Sequence, residues 1–466
     1  MLYRFCQLIK TMKKIYLDWN VINHLEESPE LYEFILHNKA HFVFVYSPAH
    51  FSDLMKSYQD DEGNIYFEKD LERLETVCET HLMVYSNKKL NLYRCPPSEF
   101  MEKEGKNYPV SKFLLDSNLL EKSMKIDGLD LYRIFSESLK SVSFGSAIEL
   151  PLFGSFSNAF ELLNRSLDFI EKMMTDKEFV RTVRKGATNN ANDKEITCIN
   201  DYNPNEVIGA VNAFFARQGA GVDVEGIIKK VIIDDQQGNE MLVFESLYAS
   251  LDLMRYHPDK RDLMNILTDA DHAFYGSFCD VLVTDDAKMR YKAEAVYSYY
   301  GITTKIIGKQ DLLQYLKNEI NGEMKIDEPL KEVLSNQHIP EKYNEDDVYL
   351  KWTKLDNPFL GYFDKLEYQL YLSTGWFCFA FTKELRYTYF TETEKLFEII
   401  KSMLHESKSI ELFGKDYVEK YRTNDKSATF SFYLAPTLQM VLAVTEEGEY
   451  IIPVLYMIPQ TSINVA

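Results

Sequence analysis

Residues 13–20 read Lys13-Lys14-Ile15-Tyr16-Leu17-Asp18-Trp19-Asn20, a short apolar strand running into a charged tip. An apolar helical pattern follows from about Val21 to Leu36. Phe42 to Tyr46 is then a continuous apolar and aromatic run of the kind that forms a buried strand. Ser47-Pro48 reads as an N-cap followed by proline at the first helical position. Helix is expected to continue through Asp53 and Met55 toward Tyr58. Two strand-then-helix units in succession predict a parallel sheet with crossover helices. Met12 stands directly before the first strand, so residues 1–11 are expected to be an extension ahead of the true start.

The same alternation returns far along the chain. Helical periodicity runs from Leu242 to His257, and Pro258 is expected to open a further helix over about 259–278. Asp280-Val281-Leu282-Val283-Thr284 is a short strand ending in Asp285-Asp286. A helix over about 287–300 is closed by Gly301, a good C′ residue. Thr304 to Ile307 is another strand, followed by helix to about Ile320. Between the two halves, Lys88 to Met241 reads as helices joined by polar loops. It includes a long amphipathic segment from Asn158 to Arg184 stopped by Gly186, and an Asn- and Asp-rich loop from Thr188 to Asn205. The predicted fold class is therefore α/β. A parallel-sheet core (12–86 and 245–321) is split by a helical insertion (87–244). A polar linker (322–350) leads to a C-terminal α+β domain (351–466). In that domain Trp376 to Phe381, Ala428 to Leu434, Gln439 to Thr445 and Tyr450 to Tyr456 read as strands, and Glu392 to His405 as a helix.

Composition narrows the function classes. The 466 residues amount to roughly three domains' worth of chain at about 150 each. Hydrophobic content of 45% and charged content of 27% exclude wholesale disorder, and sparse Gly (19) and Pro (14) exclude collagen-like structure. The net charge of −20 argues against histone-like binding of nucleic acid, in which basic surface supplies the affinity. It does not exclude a nucleic-acid enzyme, because carboxylates hold metal ions and a metal inverts the local charge logic. None of the six cysteines stand at metal-knuckle spacing, so buried reduced thiols are expected. The start carries no signal-peptide pattern, and no apolar stretch approaches the roughly 20 residues of a spanning helix. A cytoplasmic protein with no membrane partner is expected.

Open α/β sheets present their sites outside the carboxyl ends of the strands. Four places put carboxylates there: Asp18 after the first strand, Asp53 on the helix after the second, Asp269 or Asp271 on the helix before the 280–284 strand, and Asp285 and Asp286 after it. The bland readings are plain. Asp53 could be a first-turn acid favoured by the helix dipole. Asp285 and Asp286 could both be caps, with one expected to cap and one to ligate. Asp269 and Asp271 face different ways on a helix, so one of them is expected only to be solvated.

In this order and context the sequence resembles the PIN-domain nuclease family. Tyr16-Leu17-Asp18-Trp19-Asn20 fits the opening strand of the family, and Ser47 to Asp53 its second motif, with Asp in place of the usual Glu. Asp269-Ala270-Asp271-His272 fits the third and favours Asp269. Val283-Thr284-Asp285-Asp286 fits the closing strand and Thr-x-Asp. The resemblance covers about 12–86 and 245–320. The chain departs from a compact PIN domain in placing 216 residues between Asp53 and Asp269.

The resemblance implies a three-layer PIN-like core and a metal-dependent nuclease, with single-stranded RNA as the commonest substrate and an endonucleolytic cut. Repelling carboxylates raise one another's pKa, and a hard cation, Mg2+ or Mn2+, relieves this. Asp18 and Asp286 are expected as ligands, completed by Asp53 and Asp269. Asn20 and Thr284 are expected to orient them. His272 is expected to pack or hydrogen-bond beside them, and His50 to stand at the rim. Lys56, Lys288, Arg290 and Lys292 are candidates for holding phosphates, and Arg181, Arg184 and Lys185 for guiding substrate. A solvated helix face explains such basic runs equally well. The alternatives are a catalytically inactive scaffold or regulatory interaction protein, and a PIN-like nuclease acting on DNA. The C-terminal domain is a candidate for binding a protein partner, as in a toxin-like or defence system.

Overall fold

The computed structural model describes residues 12–58, 65–104, 125–126, 129–130, 143–150, 154–158, 172–173, 176–189, 198–217, 223–231, 240–321, 327–335, 341–343, 348–383, 389–403, 420–421, 423, 425, 427–435, 438–447 and 450–459. The extension at 1–11 and residues 190–197 of the loop expected over 188–205 lie outside them; of its described part, 188–189 end one helix, 199–201 form a 3-10 turn and 204–205 begin another helix.

The first half of the core contains β1 (Lys13–Leu17), α1 (Trp19–Asn23), α2 (Pro29–His37), β2 (Phe42–Val45), α3 (Pro48–Tyr58) and α4 (Ile65–Cys78). The single helix expected over 21–36 is broken by the Ser28-Pro29 step, where proline lacks the amide needed to continue a helix and starts a new one. A hairpin of β3 (His81–Ser86) and β4 (Lys89–Arg94) follows, then α5 (Pro97–Glu104).

The insertion is not purely helical. It carries β4, the pair β5 (Lys125–Ile126) and β6 (Leu129–Asp130), and the pair β7 (Ser143–Leu150) and β8 (Gly154–Asn158). Its described helices are α6 (Lys177–Asn189), α7 (Pro204–Arg217) and α8 (Val224–Val231), and α6 runs through Gly186 rather than stopping there. Residues 159–171 of the expected long helix lie outside the described ones.

The second half holds α9 (Glu240–Leu253), α10 (Leu263–Gly276), β9 (Val281–Val283), α11 (Ala287–Tyr300), β10 (Lys305–Ile307) and α12 (Lys309–Asn321). The helix expected from residue 259 begins at Leu263 instead. Asp262 caps it, accepting the Asn265 amide at 3.1 Å, and residues 254–262 form an irregular loop. Gly301 closes α11 in the left-handed conformation (φ 66°), as expected.

The two halves make one four-stranded parallel sheet in the order β10-β9-β1-β2. Main-chain bonds from Tyr46 to His81 and Met83 bring β3 alongside β2. Strand side chains alternate between two cores. Tyr16, Val43, Val45 and Leu282 face a core built with α7, α9, α10 and α11. Ile15, Leu17, Phe44, Val281 and Val283 face one built with α1, α2, α4 and α12. Burial on both faces explains the unbroken apolar runs of these strands.

The approach of α10 to β9 is close. A Cβ added at Gly276 would stand 2.9 Å from Leu282 Cδ1 and 3.2 Å from its Cβ, and Leu282 is fully buried. Gly276→Ala is expected to cost roughly 1–3 kcal/mol through overpacking. Urea unfolding should show a lower midpoint at unchanged slope.

The C-terminal domain is a seven-stranded antiparallel sheet, ordered β11-β12-β13-β14-β17-β16-β15. Its strands are β11 (Glu341–Tyr343), β12 (Val348–Phe359), β13 (Phe363–Tyr371), β14 (Trp376–Thr382), β15 (Phe430–Ala435), β16 (Leu438–Glu447) and β17 (Tyr450–Pro459). The helices α13 (Asp327–Ser335) and α14 (Phe390–Met403) pack on it through Leu330, Val333, Leu396, Phe397 and Ile400. The stretch read as a linker thus holds α13 and β11, both parts of this domain. The domain docks on the core through α14: Glu392, held within its own domain by Lys383 at 3.0 Å, meets Lys14 at 3.5 Å, and Arg94 lies over Phe390.

Candidate metal centre

β1 and β9 are adjacent parallel strands, so the residues that follow them emerge side by side. The Asp18 amide donates to the Val283 carbonyl at 2.9 Å, and Thr284 Oγ1 donates to Asp18 Oδ2 at 2.9 Å, across 266 residues of chain. The Asp286 amide in turn donates to Thr284 Oγ1 at 3.1 Å. Thr284 therefore ties the two acids together in the orienting role read from the sequence. Asn20 does not share that role. It is exposed on α1 and makes no hydrogen bond to these carboxylates.

Asp18 is buried, and its pKa is raised. Desolvation is the main cause, His272 opposes it, and Asp53 and Asp286 add repulsion. His272, on α10, donates from Nε2 to Asp53 Oδ2 at 3.0 Å, with Asp18 Oδ1 3.9 Å away. Burial works against charge on this imidazole, but the hydrogen bond to Asp53 and the charges of Asp18, Asp53 and Asp269 prevail and raise its pKa. Its Nδ1 lies 2.9 Å from the Tyr16 hydroxyl, which lies 2.6 Å from the Ser47 hydroxyl. Ser47 therefore spends its side chain beneath the site rather than on capping α3.

His50 is a core residue, not a rim group. Its Nε2 donates to the Leu17 carbonyl at 2.8 Å and its Nδ1 accepts the Ser47 amide at 3.1 Å, which fixes a neutral ring protonated at Nε2. Burial pushes its pKa down to about 3. It braces β1 against α3 directly below Asp18.

Asp269 and Asp286 face a cation absent from the sequence reading. Arg261 Nη2 is 2.7 Å from Asp269 Oδ2 and 3.4 Å from Asp286 Oδ2, while its Nε and Nη2 reach Asp259 Oδ2 at 3.0 and 2.6 Å. Asp286 also caps α11, its Oδ1 accepting the amides of Lys288 at 2.8 Å and Met289 at 3.0 Å. One oxygen thus serves the helix and the other faces the site. Asp285 turns away and accepts the Lys309 amide at 2.8 Å at the start of α12. Asp271 also turns away, toward Glu245.

Two sets of side chains here could hold a metal ion: Asp18, Asp53 and His272, and Asp259, Asp269 and Asp286, with ligand atoms within 4.8 Å of one another in each set. The four acids expected as ligands are divided between these sets. The sets adjoin electrostatically, since Asp269 feels both Asp18 and Asp286. Compared with protein-family models, curated proteins and solved structures, the chain matches none of them.

The basic residues sort differently from expectation. Lys292 is fully buried and pairs with Asp252 at 2.8 Å, so it is an internal strut and holds no phosphate. Arg184 is likewise buried on Asp252 and donates to the Asp259 carbonyl at 2.5 Å, so it guides no substrate. Arg181 pairs with Glu178 at the surface. Lys288 and Arg290 are partly exposed on α11, just beyond Asp286. The Lys56 side chain lies outside the described residues. Of the described cysteines, Cys198 is exposed rather than buried.

Burial pushes the Asp269 carboxyl up to about 8. Arg261 opposes this, and repulsion from Asp18 and Asp286 adds to it. The folded protein therefore keeps a proton that the unfolded chain releases near pH 4. Stability from this group is intact in acid and lost as pH rises toward 8. Asp269→Asn is expected to stabilise the metal-free protein, with an advantage that grows from pH 5 to roughly 2–5 kcal/mol at pH 8. Thermal melts across that range check the sign.

Proposed function

We propose that this chain is a PIN-like, metal-dependent nuclease that hydrolyses phosphodiester bonds, with single-stranded RNA as its substrate. The observation that carries the reading is the gathering of Asp18, Asp53, Asp269 and Asp286, from four separate elements, around the ends of β1 and β9. Carboxylate oxygens suit Mg2+ or Mn2+, and the burial that penalises charge on Asp18 is what a cation relieves.

Asp18 and Asp53 would hold the ion, which supplies Lewis-acid polarisation and a water nucleophile of lowered pKa. Thr284 and His272 keep the two carboxylates aimed, and the Tyr16–His272 contact keeps the imidazole in place. Lys288 and Arg290 supply cationic contacts to the nucleic-acid backbone beside the site. The choice of RNA over DNA rests on the resemblance alone. Arg261, resting among three carboxylates, favours as second reading a PIN-like scaffold without chemistry.

End-labelled single-stranded RNA and DNA of one sequence, incubated with the protein and Mn2+ or Mg2+, test this. Internal cuts in RNA that stop with EDTA are expected. Cuts only in DNA change the substrate, and no cuts in either leave the scaffold.

A further inference from the structure

Arg261 is held unusually firmly for a surface-facing arginine. Asp259 Oδ2 takes both its Nε and Nη2. Asp259 is itself fixed. Its Oδ1 accepts the amides of Lys260 at 2.6 Å and Arg261 at 3.2 Å, and its own amide donates to Asp252 Oδ2 at 2.9 Å. Asp252 is locked by Lys292 and Arg184. The same loop has Arg255 and His257 at positive φ (71° and 43°), a conformation that side-chain-bearing residues seldom adopt and that the surroundings must enforce. The guanidinium is thereby set on the Asp269–Asp286 pair. Among the described residues no hydrogen bond reaches its Nη1, and the side chain is 40% exposed. A second divalent ion in a two-metal site would need this same pair of acids as ligands.

We propose that Arg261 stands in for that second ion. The site then takes one divalent ion, at Asp18 and Asp53. The guanidinium lies against Asp269 and Asp286 in place of that ion, and its outer edge receives a non-bridging oxygen of the phosphodiester, a geometry that suits arginine's planar fork. This rests on the metal-dependent reading above and deepens it.

The test counts ions rather than turnover. Equilibrium dialysis against Mn2+ alone should give one tightly bound ion per chain for the wild type and two for Arg261→Gln. Arg261→Lys, which keeps a positive charge, should again bind one. Asp18→Asn should bind none, while Asp18→Asn in the Arg261→Gln background should bind one. Two ions in the wild type, or in Arg261→Lys, would overturn the proposal. So would a single ion in folded Arg261→Gln. In each of those cases the metal-dependent reading stands. No bound Mn2+ in any variant removes both.

Discussion

Asp18→Asn is expected to lower the cleavage rate by more than the roughly 100-fold upper end seen when only an outer-shell partner is changed. The carboxylate is buried beside Asp53, Thr284 and His272, so the amide removes a charge without opening a cavity. Thr284→Val supplies the comparison. It deletes the hydroxyl that orients Asp18 while leaving the charge, and should cost roughly 10–100-fold. Rates measured at saturating Mn2+ separate the two, because the threonine variant should recover partly as metal is raised and the asparagine variant should not. Equal losses would mean that Asp18 is a structural acid and not a ligand.

The largest effect on stability is expected from Asp252→Ala. Asp252 lies on α9 with no exposure, and both Lys292 from α11 and Arg184 from α6 end on its carboxylate. Removing it strands two buried cations, and breaking such a pair typically costs about 3–5 kcal/mol. Lys292→Met alone should cost less, since it leaves Asp252 paired with Arg184. The double change Asp252→Leu, Lys292→Met should recover part of the loss, because apolar residues of similar volume replace buried ion pairs well. Denaturant midpoints for the three variants decide this. If the lysine instead held substrate, its replacement would leave stability unchanged and weaken binding.

The candidate site was readable because β1 and β9 are short apolar runs that end at Asp18 and at Thr284-Asp285-Asp286, and adjacent parallel strands bring such ends together. Asp18, Thr284 and Asp286 follow from that rule, whereas Asp53 and Asp269 were read from their places on the helices α3 and α10 beside those strands. Arg261 did not follow. Pro258 and the periodicity after it imitate a helix start, whereas the Asp262 cap four residues later sets the true one. The intervening turn sets Arg261 against Asp269 and Asp286. Lys292 was misplaced because it reads as part of one basic run with Lys288 and Arg290, and only Asp252, 40 residues away, shows that it points inward. The β3–β4 hairpin was missed for a local reason. Its two-residue turn is Asn87-Lys88, both at positive φ (53° and 60°), where sequence reading looks for glycine.

The central claim is that acids distant in sequence form one metal-dependent hydrolytic site. Its most direct test is cleavage of labelled single-stranded RNA in Mn2+ by the wild type beside the Asp18→Asn, Asp286→Asn double variant, with matching circular dichroism. The account predicts internal cleavage by the wild type that EDTA abolishes and the double variant lacks. Equal cleavage by both proteins, or cleavage that survives EDTA, would contradict it.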